Sequence, residues 1–98
     1  MTTEEAVTVS DETYNGWKNY PTWAVNLWLS NDEGLYNETT RLVKNAGDRV
    51  TAADYIKDFV WDELPDMPAS FASDLLMFAF QSVDWFEIAD AWIADVNA

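Results

Sequence analysis

Three aspartates recur at four-residue spacing: Asp54, Asp58 and Asp62. On a helix that spacing sets carboxylates about 6 Å apart along one face. Such groups can do acid–base chemistry, hold a hard cation or stand in for phosphates. A second set, Asp84, Glu87, Asp90 and Asp95, falls where a helix would gather it on one arc. Glu63 and Asp66 lie in the segment between the two sets. One strand of DNA advances about 3.4 Å of axis per phosphate. Carboxylates every ~6 Å are sparser but of the same order. An acidic helical surface can therefore occupy a cleft built for a nucleic-acid backbone, its binding steered by charge and weakened by salt. The plainer alternative is that both rows are solvated helix faces. Like charges at this spacing oppose the helix by roughly 0.2–0.5 kcal/mol per pair.

For either row alone solvation is the better account; the distribution of charge over the chain is what raises the recognition reading. The chain has 98 residues, 18 acids and 5 bases, for a net charge of −13. From Asp58 to Ala98 there are nine acids and no Lys or Arg, so this stretch alone carries −9 of the total. Self-repulsion of that size works against a compact state. The chain either lives in high salt or presents a negative surface to a partner. A polyanion of this kind should be repelled by nucleic acid and by anionic membranes.

Composition narrows the chemistry further. There is no Cys and no His, which removes thiolate nucleophiles, zinc sites and the commonest acid–base catalyst. Paired acids such as Asp62 and Asp66 lack a pocket and an electrophilic partner, so no enzyme activity is expected. Asn31-Asp32-Glu33-Gly34 has neither the alternating oxygen ligands nor the distal Glu of a calcium loop. No metal or cofactor is expected. The first ten residues include two Glu and no basic stretch, unlike a signal peptide. The longest apolar run, Leu75 to Phe80, is too short to span a bilayer. A cytoplasmic protein is expected. Six Trp are present; Trp17, Trp23, Trp28, Trp85 and Trp92 read as core, and Trp61 as an exposed anchor beside the acidic ridge.

The elements that must position these groups are helices. Residues 1–13 read as a flexible acidic tail and 14–98 as one helical domain. Tyr14-Asn15-Gly16 signals a turn. A first helix starts near Pro21 and is apolar on nearly all sides, which predicts burial. Ser30-Asn31-Asp32-Glu33 reads as a capping box for a second helix, about Asp32 to Asn45, ended by Gly47. Thr51 to Asp54 opens a third helix, which Pro65 and Pro68 break. Ser70 caps a fourth, Phe71 to about Gln81, whose apolarity marks it as the central helix of the core. Asp84 to Glu87 opens a fifth, to about Val96, with Trp85, Ile88, Ala89, Trp92 and Val96 inward. The fold class is all-α, a compact single domain of four to five short helices.

Asn19-Tyr20-Pro21-Thr22-Trp23, with Val25, Leu27, Trp28 and Asn31-Asp32-Glu33-Gly34-Leu35-Tyr36, makes a long and unusual motif. It resembles that of a group of small proteins from phages and other mobile elements, with the pattern N-Y-x-T-W-x-V-x-L-W-x-x-N-D-E-G-L-Y. Val83 to Ala89 is similar to their usual C-terminal segment. The resemblance implies a mobile-element context, in which small acidic proteins are often inhibitors of host defence. It transfers a folding signature and no catalytic residue. The leading expectation is thus an acidic DNA or RNA mimic that inhibits a nucleic-acid-binding host defence complex, a CRISPR effector or a restriction enzyme. Asp54, Asp58, Asp62, Glu63, Asp66, Asp84, Glu87, Asp90 and Asp95 would be its phosphate surrogates, and Trp61 a packed contact. The alternatives are a protein-interaction module binding through an aromatic patch, and a halophilic domain whose acidity is solvation.

Overall fold

The computed structural model describes residues 13–64 and 69–98. The tail expected over 1–13 therefore lies, but for Thr13, outside the described residues, as do Pro65, Asp66 and Pro68. Among the described residues five helices follow one another and there is no strand. The all-α reading holds.

Each helix starts on a side-chain cap. Asn19 precedes α1 (Tyr20–Asn31) and accepts the Thr22 N–H at 2.9 Å. Asp32 caps α2 (Glu33–Ala46) through the Leu35 N–H. Asp48 caps α3 (Arg49–Glu63) through the Thr51 N–H at 2.7 Å. Ser70 caps α4 (Phe71–Ser82), and Ser73 returns a reciprocal bond. Asp84 caps α5 (Trp85–Val96) through the Glu87 N–H. These oxygens satisfy N–H groups that the start of a helix leaves without partners. Asp32, Asp48 and Asp84 also put negative charge where the helix dipole favours it.

Two expected caps are corrected. Ser30 lies inside α1, and the cap falls on Asp32. Thr51 lies in the first turn of α3, and the cap falls on Asp48. In each case a carboxylate stands three residues ahead of a free N–H. The hydroxyl offered instead is already absorbed into a helix. Gly47, at φ 87°, closes α2 in the left-handed conformation that glycine adopts without strain. Asn15 and Gly16 both have positive φ, and Tyr14 and Trp17 exchange two backbone bonds across them. This is a tight turn of the expected kind.

The core is built by α3 and α5, the most extensively packed pair, with one residue each from α1 and α2 and one from the α4–α5 link. Ala52, Ala53 and Ile56 of α3 and Ile88, Ala89 and Trp92 of α5 are buried. The three alanines let the backbones approach closely. Leu29, Val43 and Val83 complete the cluster.

The Asn19-to-Trp23 segment acts as a clasp. Asn19 Nδ2 donates to the Ser82 carbonyl at 2.7 Å. The buried Thr22 hydroxyl donates to Asn19 Oδ1 and accepts the Asp84 N–H at 2.9 Å. One turn further on, Asn26 Oδ1 accepts the Trp92 indole N–H at 2.8 Å. The polar residues of the motif thus hold α1 to the α4–α5 junction and to the core of α5.

Two expectations about burial are overturned. The first helix was expected to be largely buried, yet only Thr22 and Leu29 of α1 are. The fourth was expected at the centre, yet no residue of α4 is buried. Among the described helices, its backbone approaches only α1. The physical reason is geometric. A helix apolar all round offers more surface than one neighbour can cover, and the small residues of α3 and α5 already fill the centre.

Candidate functional site

Among the described residues, the two acidic sets do not converge on one site. Asp54, Asp58, Asp62 and Glu63 are all exposed on α3, the first three at the expected spacing along its outer face. Asp58 and Asp62 line a shallow concavity with Glu38 and Tyr55. The acids of the α5 segment point at different elements. Asp84 caps its helix. Glu87 accepts the Lys18 backbone N–H at 2.9 Å. Asp90 takes two bonds of 2.8 Å from the Arg49 guanidinium. Asp95 accepts the Tyr36 hydroxyl at 3.2 Å. The structure thus brings Asp54, Asp58 and Asp62 together and distributes the other set among internal partners. Among the described residues, no three acids gather as ligands of a metal ion would.

The internal pairs leave electrostatic signatures. The Arg49 bonds hold the Asp90 carboxyl below its usual range and raise Arg49 in turn. Arg49 also lies 4.7 Å from the Phe86 ring centre, a cation–π contact. Backbone and hydroxyl bonds from Thr51 lower Asp48. The Arg41 bond lowers Glu38. The Asp95 carboxylate, as hydrogen-bond acceptor and neighbouring charge, raises the Tyr36 phenol.

The apolar surface is a second feature. On α4, Phe71, Leu75 and Phe78 are 80%, 54% and 71% exposed. They recur at i, i+4 and i+7, so they form one outward stripe. The half-buried Leu76 and Phe80 lie on the opposite side of the helix. There Phe80 packs edge-on against Trp61 and tilted against Trp85, at 5.0 and 5.1 Å between ring centres. Trp61 itself is 47% exposed, as expected of it. Trp28, assigned to the core on sequence, is 68% exposed. It lines an open, mostly apolar groove of about 240 Å³ with Val25, Leu35, Val60 and Leu64, with Glu63 at its border. Monomeric proteins scatter apolar residues singly over their surface; here three large ones recur along one helix face.

Sequence reasoning missed Phe71, Leu75, Phe78 and Trp28. The signal was present in α4 as two apolar faces on one short helix, one more than a core requires.

Among the described residues, the fold and surface define a small helical domain with one apolar face of α4 exposed and a separate acidic ridge on α3. The chain belongs to DUF7249, a family of unknown function, whose model matches residues 10–97. No curated protein and no solved structure matches it. Among the described residues, no helix is long and apolar enough to cross a membrane.

Proposed function

We propose that this chain is a protein-interaction module that binds a partner protein through the outward face of α4. One observation carries the reading: Phe71 and Phe78, the two most exposed large apolar side chains among the described residues, line up with Leu75 as one helical stripe. Large aromatic side chains dominate the energetics of protein interfaces and are costly to leave in water. The resemblance of the N-terminal motif to small mobile-element proteins suggests that the partner belongs to a host cell. The test is comparative capture. Wild type, F71S/F78S and D54K/D58K/D62K are each used as bait at about 0.05 and 0.5 M salt. Proteins held by wild type and by the charge variant, but lost with F71S/F78S, support the reading. Identical captures by wild type and F71S/F78S sink it.

A second reading, inhibition by nucleic-acid mimicry, is favoured by the exposed row Asp54-Asp58-Asp62. It places the contact on α3. It expects the opposite pattern: loss with D54K/D58K/D62K, release by salt, and displacement of the captured protein by DNA or RNA. A CRISPR effector or restriction enzyme among the released proteins would give that reading its target.

A further inference from the structure

We infer that the element which docks on the α4 stripe is a basic amphipathic helix of the partner protein. The inference rests on the interaction-module reading and specifies its partner. The stripe repeats Phe71, Leu75 and Phe78 at helical spacing over about two turns, which suits a second helix laid alongside. The exposed parts of these three side chains offer roughly 400 Å². A lasting interface takes roughly 800 Å² from each partner, so the flanks of the stripe must contribute too.

Those flanks decide the sign of the partner. Asp74 sits three residues after Phe71 and four before Phe78, on the border of the stripe. The chain has no Lys or Arg from Asp58 to Ala98, so neither α4 nor α5 can supply a base. Lys18 lies toward the far end of α4, beside the Asn19 that bonds Ser82. A second copy of this chain would bring its own −13 to the contact, and an anionic membrane would be repelled. A helix with Leu-type residues on one face and Lys or Arg at its edges matches both the stripe and its border.

The test uses the full chain and three synthetic helices of about 18 residues, titrated by calorimetry at about 0.05 M salt. One carries a Leu face with Lys edges, one a Leu face with Glu edges. The third has the Leu/Lys composition scrambled to abolish the face. The Leu/Lys helix is expected to bind, the Leu/Glu and scrambled helices at least about tenfold more weakly. F71S/F78S should lose about tenfold or more for Leu/Lys with its helical circular dichroism unchanged. D74K should weaken Leu/Lys and strengthen Leu/Glu. Equal binding of Leu/Lys and Leu/Glu, both lost in F71S/F78S, would overturn the basic partner and leave the docking face standing. Binding untouched by F71S/F78S would overturn both. A dimer in sedimentation that F71S/F78S dissolves, or tighter binding to neutral phosphatidylcholine vesicles than to any helix, would replace the helix as occupant.

Discussion

Thr22 is a small residue with a large structural task. Its hydroxyl is fully buried, takes the Asp84 N–H and gives its own proton to Asn19. Val is nearly isosteric but cannot accept, so T22V leaves the Asp84 N–H short of a partner in the interior. A buried group orphaned in this way costs about 1–3 kcal/mol. T22V should lose that much stability in urea unfolding, with helical content retained. Asp90 permits a different test. Its carboxyl is depressed in the fold by the Arg49 bonds. The pair therefore stabilises fully above the ordinary carboxylate value of about 4, and its contribution fades as pH falls through the depressed value. D90N removes that dependence. Wild type should be the more stable at pH 7, and the gap between the two should close in unfolding curves taken toward pH 3. A gap that stays constant with pH would show that the bonds to Arg49 are not coupled to folding.

The helices divide into those that make the core and one that lies against it. Ile88 of α5 is fully buried, and I88A should cost about 2–5 kcal/mol. F71S/F78S on α4 should cost no more than about 0.5 kcal/mol, since those rings face solvent. Comparing the two in urea separates a core helix from an outer one. A loss above about 2 kcal/mol for F71S/F78S would mean that the stripe is covered within the chain itself. This division explains what was legible in the sequence. Helix positions were, because Gly47, Ser70 and Asp84 act locally on the residues beside them. The inward stripe of α5 was, because its faces differ in polarity. The exposure of α4 was not, because both its faces are apolar and periodicity carries no information on which neighbour exists. The dispersal of Glu87, Asp90 and Asp95 was not, because their partners Lys18, Arg49 and Tyr36 are 69, 41 and 59 residues away.

At the scale of the whole molecule, an acidic chain has to be reconciled with a folded one. The net charge is −13, yet the acids are not equivalent. Asp32, Asp48 and Asp84 sit at helix starts, where their charge is favourable. Asp90 and Glu38 are matched by Arg49 and Arg41. Asp54, Asp58 and Asp62 are left on one outer face, where each repels the next. Added salt should therefore act in two opposed ways. It weakens the Arg49–Asp90 pair, which is exposed and worth little. It also screens the repulsion among the unmatched acids, which are more numerous and act over the Debye length of about 10 Å at 0.1 M. The second effect should win. Thermal melts followed by circular dichroism should move upward between about 0.02 and 0.5 M NaCl. The same rise should be smaller in D54K/D58K/D62K, in which the row no longer repels itself. The size of the effect also separates a partner-binding surface from halophily. A domain whose acidity serves solvation in brine would be unfolded at about 0.02 M. The capped helices and the α3–α5 core of this chain should keep it folded there. A chain with no helical signal at low salt would return the acids to the role of solvation.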